Sequence, residues 1–224
     1  MSLIISFDAR LGEHTRVVQG FCRAALKRTM DVVGASVLLV LLAPALALIA
    51  LVISMDGGPA VFAHRRVGRV GRFFGCLKFR TMVIGAEEAL SEYLALHPEA
   101  AEEWKREQKL GFDPRITGIG KLLRRTSVDE LPQLVNVLRG EMSLVGPRPV
   151  TKAEIDEKYG AHAHLCTSVR PGLTGLWQVS GRNDISYPER VALDIRYVTR
   201  LSLVEDVRIL FRTAGVVLNR SGAR

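Results

Sequence analysis

One run dominates the hydrophobic pattern. Between Asp31 and Asp56 lie 24 residues without a formal charge, VVGASVLLVLLAPALALIALVISM, and a helix of that length rises about 36 Å, enough to cross a bilayer. Pro44 stands near the middle, where it removes a backbone donor and predicts a break into two arms of roughly a dozen residues, each too short to span. The flanks are basic on both sides, with Arg23, Lys27 and Arg28 before the run and Arg65, Arg66, Arg69 and Arg72 after it. Positive charge marks cytoplasmic loops, so both ends are expected on the cytoplasmic face. The pattern predicts a re-entrant membrane helix over 21–56, bent at Pro44, whose first part, 21–30, is a basic interfacial helix. A kinked spanning helix and a buried helix of a soluble protein are the alternatives. The run starts too far into the chain for a signal peptide, and its distal flank, Asp56-Gly57-Gly58-Pro59, is not a cleavage site.

Residues 1–20 show no clear period and read as a loose segment. Strand-like stretches around Val61-Phe62 and over Phe73 to Arg80, parted by Gly68 and Gly71, predict a hairpin. Residues 85–110 read as helix interrupted at Pro98. Apolar positions Leu131, Leu134, Val135 and Leu138, with a stop at Gly140, predict another helix. Two S-x-x-E sequences, starting at Ser186 and Ser202, mark later helix starts. The expected fold is α/β in the α+β sense and mostly helical: a re-entrant membrane helix followed by a small cytoplasmic catalytic domain, 57–224, with a short sheet or hairpin.

Charge sharpens this picture. The chain of 224 residues carries +8, and residues 85–110 hold seven Glu against three Lys or Arg, a net −4, so +12 remains elsewhere. That distribution suits anionic headgroups or nucleotides. A nucleic-acid reader is disfavoured, because aromatics are only 6% and show no RNP-like or finger-like spacing. Cys22, Cys76 and Cys166 lack CxxC spacing, which points to a reducing compartment rather than a disulfide framework.

The strongest chemical candidate is Arg124-Arg125-Thr126-Ser127-Val128-Asp129-Glu130-Leu131-Pro132. Ser127 and Glu130 fit a capping box. Asp129 as N-cap instead puts Pro132 in the permitted first turn and sets Asp129 and Glu130 at a positive helix end beside two arginines. Such carboxylates can hold Mg²⁺ or attack an electrophile. Lys78 and Arg80 share one face of a strand, and Arg148 projects from the stiff loop Gly146-Pro147-Arg148-Pro149, as phosphate-binding cations would. There is no GxxxxGK[ST], and Gly68, Gly71 and Gly75 do not match a dinucleotide fingerprint. His162, His164 and Cys166 alternate like one strand face but lack a persuasive fourth metal ligand. Trp177 reads as packing or as an interfacial anchor.

Taken together, Lys27-Arg28-Thr29-Met30-Asp31, Arg66-Val67-Gly68, Lys78-Phe79-Arg80-Thr81-Met82, Ser127 to Leu134, Ser143 to Pro149 and Arg170 to Arg182 resemble the bacterial sugar transferase family of monotopic polyprenyl-phosphate phosphoglycosyl transferases. The likeness covers about residues 21–220 and is strongest to the exopolysaccharide-initiating galactose-1-phosphate transferases. It implies transfer of a sugar 1-phosphate from a UDP-sugar to undecaprenyl phosphate with release of UMP. Asp129 would be the nucleophile, Glu130 would help to hold Mg²⁺, and Lys78, Arg80, Arg124 and Arg148 would bind phosphates. Asp206 matches a further acidic position of the family. The implied setting is the bacterial inner membrane, with the catalytic domain on its cytoplasmic face, among membrane lipids and downstream glycosyltransferases. Where the family often has Ser-Pro at the helix break, this chain has Ala43-Pro44. Residues 85–110 and the C-terminal helix offer a surface for a homodimer. Glucose, N-acetylglucosamine or N-acetylgalactosamine phosphate is the alternative group transferred, and a non-catalytic scaffold for polysaccharide assembly is the alternative of another class.

Overall fold

The computed structural model describes residues 2–107, 110–181 and 185–218. A single helix, α1 (Ser2–Ser54), leads into an antiparallel hairpin of β1 (Val61–Val67) and β2 (Phe73–Phe79), paired from Val61 opposite Phe79 to Val67 opposite Phe73. Helices α2 (Ala86–Leu96), α3 (Pro98–Glu107), α4 (Gly118–Thr126) and α5 (Gln133–Arg139) follow. A second, parallel pair joins β3 (Ser143–Val145) to β4 (Gly172–Thr174). Between these strands lie α6 (Lys152–Glu154), a π-turn over Ile155–Tyr159 and α7 (Ala163–Cys166), and the chain closes with α8 (Tyr187–Thr199) and α9 (Leu203–Leu218). The mostly helical α+β expectation and the hairpin are both present.

Two expectations about α1 are corrected. Residues 2–20 are helical rather than loose. No proline precedes Pro44, and extending a formed helix by one more residue costs far less than nucleating one. The helix is also not broken at Pro44 but runs through it. Proline removes only the bond to the carbonyl one turn earlier, and the turns on either side keep theirs.

What holds α1 in place is a stripe at three-to-four spacing. Asp31, Ala35 and Leu39 pack toward the main core, whereas Leu46, Ile49, Ala50 and Ile53 pack around Phe79 and Leu123. Val33, Val37, Val40, Leu41, Leu48, Leu51 and Val52 lie on the other face and are exposed. A helix apolar on both faces but packed on only one has a surface suited to lipid rather than water.

Polar side chains fix the near end of α1. Arg28 donates to the carbonyls of Val137 at 2.6 Å and Leu138 at 2.8 Å, a cation closing the C-terminal end of α5. Asp31 accepts from the Ser143 hydroxyl and the Leu144 N–H, both at 2.9 Å. Gly34 allows the approach, because a Cβ there would stand 2.7 Å from Leu144 Cδ1. At the far end, Arg80 grips Asp56. The core under these contacts joins Leu134 and Val137 of α5 to Met142, Leu144, Val145, Tyr197 and Ile209.

Candidate active site

The sequence from α4 to α5 turns sharply at Ser127. Its backbone is left-handed, φ 58°, and its N–H closes α4 by donating to the Arg124 carbonyl at 3.2 Å. A single 3₁₀ turn, Val128–Glu130, follows, and Leu131 and Pro132 stay right-handed helical into α5. Both N-terminal readings of this segment are therefore corrected. Ser127 makes no side-chain cap bond, so the capping box is absent, and Asp129 lies inside the turn rather than at an N-cap. A left-handed residue aims its side chain away from the donors that a cap must reach, which no spacing rule reveals.

Freed from capping, Glu130 accepts from Lys78 Nζ at 2.8 Å, and Arg148 Nη1 lies 3.7 Å from the same carboxylate oxygen. The Lys78 ammonium also stands 3.9 Å from Asp129 Oδ2. Asn136, fully buried, sets this register: its amide donates to the Gly75 carbonyl at 2.8 Å and its oxygen accepts from the Leu77 N–H at 3.0 Å, clamping β2 against α5. Burial raises the Asp129 carboxyl above its ordinary range; Lys78 and Arg124 pull it back and Glu130 pushes it further up. In its ionised form, a carboxylate shed of water is a stronger nucleophile than a hydrated one. Cys76, beneath the same cluster, has its thiol pushed up to about 11 by burial and stays an inert core residue.

The other expected cations separate. Arg124 donates from Nε to the Thr81 hydroxyl at 2.8 Å and acts on Asp129 through its charge. Arg80 does not join the cluster. All five of its N–H groups are engaged, with Asp56 at 2.5 and 2.6 Å and with the carbonyls of Ile53, Pro59 and Met82. Lys78 still lies within β2, whereas Arg80 follows its end, so the shared strand face is lost and Arg80 is a staple between α1 and the hairpin.

Asp206 belongs elsewhere too. It is buried at the start of α9, 3.0 Å from Lys27 Nζ, and accepts from the Tyr197 hydroxyl at 2.7 Å. It lines a cleft of about 350 Å³ beside Arg23, Asp31 and Arg170. His162 and His164 are exposed on helical turns while Cys166 is buried, so the strand face imagined for them does not form.

Sequence reasoning missed a group bordering the carboxylates. Arg66 pairs with Glu154 at 3.1 Å, Glu154 also accepts from Tyr187 at 3.3 Å, and Arg190 lies over the rings of Trp177 and Tyr187. The run of basic residues around Arg66 was visible, but its partners lie more than 80 positions away.

The donor set suits Mg²⁺. Among the described residues no three His, Cys, Asp or Glu side chains cluster closely enough to cage an ion. Two adjacent carboxylates are nevertheless the usual protein share of a magnesium site whose remaining ligands are substrate phosphate and water.

The profile of the bacterial sugar transferase family matches residues 22–220. The chain is 56% identical over 198 residues to a UDP-galactose-lipid carrier transferase of Erwinia amylovora, covering 88% of this chain and 41% of that protein. It is 50% identical to the undecaprenyl-phosphate galactose phosphotransferase of Salmonella typhimurium, covering 100% of this chain and 47% of that protein. It is 51% identical to the exopolysaccharide production protein ExoY of Rhizobium meliloti, with 88% and 87% of the two chains covered. The chain thus spans less than half of the first two relatives. With nearly its whole length matched, and with Asp129, Glu130 and Lys78 brought together at its centre, this chain belongs to the bacterial sugar transferase family.

Proposed function

We propose that the protein transfers a sugar 1-phosphate, galactose 1-phosphate by the names of its relatives, from a UDP-sugar to undecaprenyl phosphate at the start of exopolysaccharide repeat-unit synthesis. The observation that carries this reading is Asp129 itself, a desolvated carboxylate 3.9 Å from Lys78 and backed by a Glu130 that Lys78 and Arg148 hold in place.

In this reading an Asp129 oxygen attacks the sugar-bearing phosphorus of the donor. The bond from that phosphorus to the bridging oxygen breaks, and UMP departs with the electron pair. An oxygen of undecaprenyl phosphate then attacks the same phosphorus, and the bond to Asp129 breaks, restoring the carboxylate. Lys78 and Arg148 screen the approach of one anion to another, and Lys78 and Arg124 favour the ionised form of Asp129 against its burial. Asp129 and Glu130 are the residues that would hold Mg²⁺, which would supply Lewis-acid screening of the phosphates.

The setting is membrane-associated, with α1 the anchor. Both ends of its apolar stretch are tied to the same domain, at Arg28 with Val137 and Leu138 and at Asp56 with Arg80. A helix with its two ends on opposite sides of a bilayer cannot make both attachments, which supports a re-entrant placement on the cytoplasmic side of the inner membrane.

Purified protein in detergent, given UDP-galactose, undecaprenyl phosphate and Mg²⁺, is expected to release UMP over many turnovers only with all three present, and at most one UMP per enzyme without the lipid. Asp129→Asn should abolish this, and wild type without lipid should gain the mass of one hexose phosphate. Release that survives Asp129→Asn would overturn the covalent route. Folded protein that releases no UMP from any UDP-sugar would overturn the transferase reading and favour a scaffold.

A further inference from the structure

Among the described residues, four polar atoms around Trp177 have no hydrogen-bond partner: Trp177 Nε1, Gln178 Oε1, and Nε and Nη2 of Arg190. They are buried atoms, and Trp177 is only 6% exposed. A buried donor or acceptor left unmade is destabilising, so four in one patch call for something that completes them.

Their chemistry is selective. Nε and Nη2 form the side edge of a guanidinium, two parallel N–H groups spaced for two oxygens of one oxyanion. The plane of that guanidinium is held by stacking, with Cζ 4.6 Å from the Trp177 ring centroid and 4.8 Å from that of Tyr187. The fork is thus built before any ligand arrives. Trp177 Nε1–H adds a third donor, and Gln178 Oε1 is an acceptor for a hydroxyl.

The patch adjoins the carboxylates. Gln178 lines a small cavity together with Lys78, Glu130 and Arg148. Arg148 links the two groups, with Nη1 3.7 Å from Glu130 and Cζ 5.5 Å from the Trp177 ring centroid. A diphosphate whose transferred phosphate faces Asp129 has its second phosphate one bridging oxygen away, and Arg148 is the residue common to the carboxylates and the Trp177 patch.

We infer that Arg190, with Trp177 and Gln178, binds the non-transferred phosphate of the nucleoside diphosphate donor, the phosphate that departs in the nucleoside monophosphate. Gln178 accepts from a hydroxyl beside it. The inference rests on the donor reading above and assigns the leaving-group half of that site.

Calorimetric titration of full-length protein in detergent with Mg²⁺ tests it, using UMP and, separately, uridine, which has the same base and ribose but no phosphate. Wild type should bind UMP more tightly than uridine. Arg190→Lys keeps the charge and the stem but not the fork. It should weaken UMP on the order of 10- to 100-fold, leave uridine unchanged and melt within a few degrees of wild type. In turnover it should raise KM for the UDP-sugar and leave KM for undecaprenyl phosphate alone. UMP binding unchanged in Arg190→Lys and in Gln178→Leu would overturn the assignment while the donor reading stands. Wild type that binds neither UMP nor uridine would overturn both.

Discussion

The attachment of α1 gives the most quantitative test. Lys27 donates to the Val145 carbonyl at 3.0 Å and stands 3.0 Å from Asp206 and 3.7 Å from Asp31. The side chains of Asp206 and Asp31 are 2% and 1% exposed, that of Lys27 21%. Lys27→Met keeps the stem that packs and removes the ammonium. Asp206 would retain only the Tyr197 hydroxyl, and Asp31 its bonds to Ser143 and Leu144. Stranding one partner of a buried pair costs about 3–5 kcal/mol. The partial exposure of Lys27 lets water take over some of its role, which places the loss near ~3 kcal/mol. For a chain of this size that is a fall in Tm of roughly 6–12 °C. The assay is thermal melting in detergent of wild type, Lys27→Met, Asp206→Asn and the double variant. Most of the loss comes from the abandoned charge, so the double variant should regain about 1 kcal/mol or more over Lys27→Met. A Lys27→Met protein melting within about 2 °C of wild type, or a double variant no more stable than the single, would refute the buried-charge account.

Other expectations follow from single sites. Asp194 is buried against the Tyr159 hydroxyl at 2.9 Å, and burial pushes its carboxyl from 3.8 up to about 6. The folded state therefore holds that proton more tightly than the unfolded chain. Its stabilising effect is full below about pH 4 and is lost as pH rises through about 6, an effect on the order of 3 kcal/mol that Asp194→Asn should flatten in a pH series of melts. Arg80→Lys cannot reproduce five directed donors and should lower stability by about 1–2 kcal/mol while leaving the donor KM within about twofold; a large KM change would restore Arg80 as a phosphate ligand. At Gly172 a Cβ would stand 2.1 Å from the backbone nitrogen of Gly146, which cannot move aside without parting β3 from β4, so Gly172→Ala should yield little folded protein on a sizing column.

The parts of this molecule that were legible in sequence are those fixed by local rules. Strand-like stretches parted by two glycines placed β1 and β2, and the charge-free run placed the lipid-suited part of α1. The adjacency of Asp129 and Glu130 is a property of the chain and survives any fold. The parts that escaped are set by tertiary contact. Capping at Ser127 and Glu130 is a local rule that lost to the left-handed turn, because Glu130 gains more from Lys78, 52 positions away, than from a backbone N–H nearby. Arg80 looked like the twin of Lys78 until the end of α1 supplied Asp56.

These failures share a physical cause that bears on function. A cation in a basic sequence has two fates, to satisfy the protein or to wait for a ligand, and only the count of its partners separates them. Arg28 and Arg80 are spent on carbonyls and on Asp56. Arg190 lies over two rings but, among the described residues, has no acceptor for its side edge. Lys78 and Arg148 stand between, paired to a carboxylate that a metal ion would draw away from them. Were Mg²⁺ to take Glu130, those two cations would become available to phosphate together, and metal and donor would then bind with positive cooperativity. Titrating UMP against wild type at rising Mg²⁺ should show its affinity climb until the metal saturates. A UMP affinity independent of Mg²⁺ would mean that Glu130 keeps its cations and that the metal is held elsewhere.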